Sequence, residues 1–362
     1  MLYQNAVNRA RLFGFSYLPA SQIAAAPIED IVERVQHVTA CDNNPHHAEA
    51  VLGGQPAPKI KLSVALAKFW GLARDKTVHK SPDQLRKWKT PRKRAVDNLI
   101  NCIGDKDITK ITRDDMLKFR DEWIDRIEAE KLVKNSANKN FNQIKVIIDT
   151  LNTNLKLGIG VSDVFGNLSL GEDDRGTRPP FETEWLLDKL LIEVNFRDLE
   201  PQAMWCLFAF AETGAGLAEQ TSLLPEDIRL DTDIPHIDIK RRAGKSSKTA
   251  FRPRQIPLVG FALDAFKACP QGFTDYIDNP DYLGTILGGH LRNNGLFQTE
   301  EHTLYSLRHS FQDRLIDADV PERVQAELMG HSIRAALGRE PYGKGPTLAK
   351  KLEWMEKIRL KK

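Results

Sequence analysis

From Leu62 to Gly158 the apolar residues recur about every 3.6 positions without interruption, which commits that stretch to packed helices. Leu62, Leu66, Phe69 and Trp70 form an i, i+4, i+7, i+8 stripe. Val96, Leu99, Ile100 and Ile103 form a second, and Gly104 stands where a left-handed C-cap is expected. Thr112 is placed to cap a helix that begins at Arg113 and runs through Trp123. A further helix, Asn138 to Leu157, carries Phe141, Ile144, Ile148 and Leu151 on one side. The expectation is an all-helical domain over residues 61–165. Residues 1–60 form a separate segment of unassigned role. Within it Ile28 to Val38 reads as a short helix with Ile31, Val32 and Val35 on one face, and Leu52 to Lys59 reads as a Gly/Pro linker.

Leu170 to Pro180 is polar and rich in turn formers, so a linker is expected over 166–180 and a second domain over 181–362. That domain opens with helices at Glu184 to Val194 and Ala203 to Glu212. Pro235-His-Ile-Asp-Ile239 then alternates like a strand, and Arg254-Gln-Ile-Pro-Leu258 can pair back onto it as a hairpin. Gly260 to Ala268 returns to helix, as does the rest of the chain. The fold class expected is mainly α with a small β-hairpin or sheet: an all-α domain followed by an α+β domain. The last helix bears Leu348, Leu352, Met355 and Ile358 on one stripe, which either packs on its own domain or on a neighbouring protomer.

Composition narrows the functional classes. The chain has 362 residues, is 41% hydrophobic and carries a net charge of +3. That charge is weak, but the cations cluster. Lys87, Lys89, Arg92, Lys93 and Arg94 form one run, and Lys240, Arg241, Arg242, Lys245, Lys248, Arg252 and Arg254 another. Each run is either a solvated face or a surface that neutralises phosphates. The four cysteines, Cys41, Cys102, Cys206 and Cys269, show no paired spacing, which suggests neither a zinc site nor a disulfide framework. With no span-length apolar run and no signal-peptide pattern, a cytoplasmic protein is expected.

The chemistry concentrates near the C-terminus, in Tyr305-Ser-Leu-Arg308-His309-Ser-Phe311, Leu328-Met-Gly330-His331-Ser332 and Tyr342-Gly-Lys-Gly345. Arg308 lies in the first turn of a helix, where a permanently charged, planar fork suits a phosphate. Val320 to Met329 reads as a helix closed by Gly330 in a left-handed cap. His331 follows it, placed either to donate to a phosphate oxygen or to cap the helix through its dipole. Tyr342 lies in a turn-rich segment, either as a mobile nucleophile or as a loop tyrosine packed by its ring.

These motifs, in this order, resemble the C-terminal signature of the tyrosine recombinases, the phage-integrase family. Ala211-Glu-Thr-Gly-Ala-Gly216-Leu-Ala-Glu219-Gln220 and Lys248-Thr … Arg254-Gln-Ile-Pro-Leu258 are similar to the family's earlier motifs. The all-helical domain resembles its core DNA-binding domain. The resemblance implies a site-specific DNA recombinase that works through a 3′-phosphotyrosine intermediate, with no metal and no cofactor. Its partners would be double-stranded DNA and three further copies of itself at synapsis, with no membrane. Tyr342 would be the nucleophile, Arg308 and His331 the phosphate-binding pair, and Lys248 (or Lys245) the proton donor to the leaving oxygen. Glu219 would support them. Lys87, Lys89, Arg92, Lys93, Arg94, Arg241 and Arg242 would contact DNA.

Two positions depart from the family pattern. Tyr305 stands where histidine or lysine is usual, and Gly216 stands where the first phosphate-gripping arginine is expected. The second departure leaves an alternative open: a catalytically weak or inactive DNA-binding protein on the recombinase fold.

Overall fold

The computed structural model describes residues 2–41, 44–56, 58–78, 80–171, 178–240, 253–332 and 345–361. The chain divides into two compact units, Met1–Asp174 and Arg175–Lys362.

The first unit is helical: α1 (Leu2–Leu12), α2 (Ala20–Ile23), α3 (Ile28–Ala40), α4 (Pro45–Val51), α5 (Leu62–Leu72), α6 (Pro82–Ile103), α7 (Arg113–Glu130), α8 (Lys134–Leu155) and α9 (Val161–Phe165). Its main core is the set of stripes expected from the sequence. Phe69, Leu99, Met116, Phe119, Ile144 and Leu151 are fully buried among one another. The boundaries follow local chemistry. Ser81 and Gln84 close a capping box at the start of α6, and Thr112 and Asp115 do the same for α7. Gly104 ends α6 at φ 81°.

The N-terminal helices tie into this unit through polar contacts. Tyr3 donates to the Lys156 carbonyl just past α8, and Gln22 donates to Gly158 O at 3.0 Å. In α3 the helix expected at Ile28–Val38 is present, but on its expected face Val32 and Val35 are 46% and 47% exposed and only Ile31 is partly buried. The inward face belongs to Val38 and to a buried Arg34, which donates to Val51 O and Ser16 O at 2.8 and 2.9 Å. The arginine satisfies loop carbonyls that an aliphatic side chain would leave unpaired.

The second unit begins with α10 (Thr183–Trp185), which widens into a π-turn over Leu186–Leu190, in place of the continuous helix expected to Val194. The Leu191 amide bonds back to Leu186 O at 2.8 Å, and the wider turn lets Leu186, Leu190 and Leu191 all face inward. Then come α11 (Pro201–Thr213), α12 (Leu217–Gln220), β1 (Ile228–Arg229), β2 (His236–Ile239), β3 (Arg254–Pro257), α13 (Gly260–Ala268), α14 (Pro280–Asn293), α15 (Ser306–Asp317), α16 (Glu322–Met329) and α17 (Leu348–Lys357). The sheet is antiparallel in the order β1-β2-β3, with Ile237 opposite both Ile228 and Ile256. The β2–β3 hairpin is the one the sequence predicts; the two-residue β1 is too short for pattern reading.

Helix α11 is apolar nearly all round and forms the centre of this core, where Cys206 is also buried. Glu212, near its C-terminus, is fully buried. It accepts from Arg314 at 3.3 Å and Leu360 N at 3.0 Å through one oxygen, and from Phe261 N at 3.2 Å through the other. Arg314 also donates to Ile358 O at 2.8 Å and to Ala211 O. Burial pushes the Glu212 carboxyl up against the pull of Arg314 and the two amides. Gly260 completes the arrangement: at φ 46°, its missing Cβ would lie 2.6 Å from the Glu212 carboxylate. Met355, Ile358 and Leu360 are buried in this unit's own core, so the C-terminal stripe packs, at least in part, on its own domain.

Removing Arg314 leaves a buried carboxylate uncompensated. Arg314→Leu is expected to lower stability by about 3–5 kcal/mol. The double variant Glu212→Met/Arg314→Leu should not recover the wild-type urea midpoint, because the Phe261 and Leu360 amides lose their acceptor.

Candidate active site

Arg308 is the third residue of α15 and is buried, unlike a typical surface arginine. Its guanidinium donates to Gly214 O at 2.6 Å and to Met329 O. Met329 is the last residue of α16, and Gly214 closes α11 in the left-handed region at φ 64°. The cation therefore sits against orphan carbonyls at the negative ends of two helices, where a positive charge is favoured.

The end of α16 is as the sequence predicts. Gly330 adopts φ 67°, the Gly330 amide bonds to Glu327 O at 3.3 Å, and the His331 amide to Ala326 O at 2.8 Å. Together they form a Schellman motif. The His331 backbone thus caps the helix, while its exposed ring reaches Arg308, with Nε2 at 3.4 Å from the guanidinium. Two residues separated by a whole helix in sequence meet at one corner.

Glu219 forms the floor of this corner. Its two oxygens lie 2.9 Å from the two terminal nitrogens of Arg254, a fork-on-fork pair with both side chains buried. One oxygen also accepts from Gly216 N at 3.3 Å and lies 3.9 Å from Arg308. Arg254, on β3, has a third bond, from Nε to Leu328 O at 2.8 Å. Sequence reasoning assigned Arg254 no role in the site, although it stands in the Arg254-Gln-Ile-Pro-Leu258 motif. Strand position gave no sign that it would be buried under the end of α16.

The two glycines of Thr213-Gly214-Ala215-Gly216 differ in kind. A Cβ at Gly214 would meet the Phe311 ring at 2.4 Å on a left-handed backbone, so packing demands glycine. Gly216 has φ −65° and ψ 159°, and among the described residues a Cβ there would meet nothing within 4 Å. No described residue excludes a side chain at 216.

Tyr305 does not join the set. It is the N-cap residue of α15 and 47% exposed; its ring packs edge-on to His309, and the Arg178 guanidinium lies 5.8 Å from the ring centre. Tyr342, Lys248, Lys245, Arg241 and Arg242 lie outside the described residues.

The first basic run is split by the turn of α6. Lys87 and Arg94, with Arg86, line a shallow cleft closed from α8 by Ser136, Lys139, Asn140 and Gln143. Lys89 and Lys93 line a second hollow against α5, where Lys89 lies over the Trp70 ring. Arg92 is engaged within the protein: its guanidinium stacks 4.0 Å from the Trp88 ring centre and donates to Trp88 O at 2.6 Å. The α8 residues were not anticipated, since they are mostly uncharged and form no run. Among the described residues no group of three or more His, Cys, Asp or Glu is placed to hold a metal ion. No described helix is long and apolar enough to cross a membrane.

No protein-family model matches the chain, and neither does any curated protein. Solved structures do match. The Tn1549 transposon integrase in complex with circular intermediate DNA superposes with a TM-score of 0.53 at 17% identity, over 83% of this chain and 100% of the integrase. The lambda integrase dimer bound to a COC′ core site gives 0.55 at 12% identity, over 80% of this chain and 82% of that one. Both are tyrosine recombinases. The fold of this chain is that of the tyrosine recombinase family. On this fold the described part of the site consists of one corner, made by Arg308 and His331 over the Glu219–Arg254 pair.

Gly330→Ala tests the corner. A left-handed alanine costs about 1–2 kcal/mol in backbone terms. Its Cβ would also lie 2.6 Å from Arg254. The expected result is a lowered melting temperature and a shifted His331 ring resonance, with helix content by circular dichroism retained.

Proposed function

We propose that this chain is a site-specific DNA recombinase that cuts and rejoins strands by transesterification. The observation that carries the reading is the meeting of Arg308 and His331 at the end of α16, on a fold shared with integrases solved on DNA. The Tyr342 phenolate attacks a backbone phosphorus, the P–O5′ bond breaks, and the 5′-oxygen leaves with a proton from Lys248 (Lys245 being the fallback donor). Arg308 and His331 hold the non-bridging oxygens as charge develops on them. The phosphotyrosine keeps the energy of the broken ester, so the 5′-hydroxyl of another strand can reverse the step and join new partners without ATP or Mg²⁺. In this reading residues 61–165 form the core DNA-binding domain, residues 181–362 the catalytic domain, and four copies assemble at synapsis in the cytoplasm. Tyr305 stands where histidine or lysine is usual, and its ring, packed on His309, is given no step in this reading.

A second reading has its own observation. Position 216 has no side chain, and no described residue lies within 4 Å of a Cβ placed there, so one of the two arginines expected around the phosphate is missing. The loss of one preorganised charge costs about 3–4 kcal/mol in the transition state. The chain would then grip its site and cleave slowly.

A nicked suicide duplex separates the two. The recombinase reading expects a covalent adduct that Tyr342→Phe abolishes; tight binding without adduct supports the second. In either case Gly216→Arg should raise the cleavage rate, on the order of a hundredfold, and an unchanged rate would refute the role given to that position.

The cleft between α6 and α8 is proposed to follow the duplex backbone, with Arg94 and Lys139 on phosphates. Arg94→Ala and Lys139→Ala should each weaken binding to all duplexes alike. Each should also reduce the slope of log affinity against log salt by about 1.

A further inference from the structure

We infer that Arg178 is a phosphate-binding residue of the site, and that the Tyr305 ring is the seat that positions it beside Arg308. The inference rests on the reading of Arg308 and His331 as phosphate-binding groups.

Arg178 opens the sequence Arg178-Pro-Pro-Phe181. A residue before proline is confined to extended backbone, and each proline fixes its own φ, so the arginine rides on a short stiff arm. The arm is fastened just beyond it. Pro180 O accepts from His302 Nε2 at 3.0 Å. Thr299 N donates to Nδ1 of the same ring at 3.2 Å, which leaves the proton on Nε2. Phe181 N donates to Ser310 Oγ at 2.8 Å, and Glu182 N to Gln298 Oε1 at 3.1 Å. The Phe181 ring packs on His302, with the ring centres 4.5 Å apart. Residues 180–182 are thus pinned to α15 and to the loop that leads into it. Arg178 lies two residues away, at most about 7 Å along the chain.

The guanidinium ends over Tyr305, 5.8 Å from the ring centre. His309, one turn further along α15, packs edge-on against that ring, with centres 5.4 Å apart. Arg178 is exposed, and among the described residues it makes no hydrogen bond and no ion pair. A cation held over an aromatic face keeps its N–H donors for an anion. Tyr305 and Arg308 stand at i and i+3, neighbours on the helix surface with Cβ atoms about 5–6 Å apart. Arg308 is buried and Tyr305 is 47% exposed, so Tyr305 borders Arg308 on the side open to solvent. A phosphate that approaches Arg308 from solvent passes the guanidinium seated on Tyr305. Tyr305 itself takes no chemical step; its ring places the cation.

The test uses the full chain and five variants: Arg178→Ala, Tyr305→Ala, Tyr305→Phe, Arg178→Ala/Tyr305→Ala and Arg178→Ala/Tyr305→Lys. Two quantities are read: single-turnover adduct formation at saturating suicide duplex, and the slope of log duplex affinity against log salt. Arg178→Ala should slow adduct formation by about tenfold or more and reduce the slope by about 1. Tyr305→Ala should slow it by a similar factor and Tyr305→Phe by less, because the ring and not the hydroxyl holds the cation. The double alanine variant should be no slower than Arg178→Ala, since the two residues act as one. Adding Tyr305→Lys to Arg178→Ala should restore most of the lost rate by supplying a cation at the same place. A merely structural arginine would show no such recovery. An undiminished rate in Arg178→Ala overturns the inference, whatever the slope does. So does Arg178→Ala/Tyr305→Lys no faster than Arg178→Ala. If Tyr305→Ala does not fold, Arg178→Ala with and without Tyr305→Lys decides. If the wild type binds duplex yet forms no adduct, the recombinase reading fails and the slope decides the inference: a fall of about 1 in Arg178→Ala that Tyr305→Lys reverses upholds it, and an unchanged slope overturns it. If the wild type binds no duplex, the inference falls.

Discussion

Two buried carboxylates near the ends of α11 and α12, each held by a buried arginine, organise the second unit. Glu212 and Arg314 gather the end of α11, the start of α13, the last turn of α15 and the chain from Ile358 to Leu360 around one ion pair. Glu219 and Arg254 do the same for α12, β3 and the end of α16. Neither pair is explained by its Coulomb energy alone, which desolvation largely offsets. Their effect is to pay out hydrogen bonds to backbone groups at helix ends that apolar packing would leave orphaned. Each carboxylate can be buried only because several segments converge on it, and the segments converge because it is there.

The candidate site follows from this arrangement. Arg308 is held by carbonyls at the ends of α11 and α16, so its position depends on both helices stopping where they do. They stop at Gly214 and Gly330, each in a left-handed conformation. Packing adds a reason for glycine at both: a Cβ would enter the Phe311 ring at one and the Arg254 guanidinium at the other. Gly216, two residues further on, meets neither constraint among the described residues.

In the first unit, the run from Lys87 to Arg94 reads as one basic patch in sequence. On a helix of roughly 3.6 residues per turn it cannot be one. Lys87 and Arg94, seven apart, share the α8 side; Lys89 and Lys93, four apart, share the α5 side. Arg92 falls between and is absorbed by Trp88. The α8 side gains Lys139, Asn140 and Gln143 from a helix more than forty residues away in the chain.

Much was legible before the structure, and the parts that were share a cause. Helix stripes, the cap at Thr112, the hairpin and the left-handed Gly330 depend on neighbours a few residues apart, and spacing encodes them. The exposure of Val32 and Val35 on α3 and the π-turn at Leu186–Leu190 were not legible, because periodicity says which residues share a face and not which face meets the core. The sequence by itself determined the helical stripes between Leu62 and Gly158, the β2–β3 hairpin, and that Arg308 and His331 each stand beside a helix terminus. Only the tertiary structure decided that those termini meet and that Arg254 lies beneath them. Pairing across 20 to 100 residues of chain is set by the packing of whole helices around buried charges, and no local pattern carries that information.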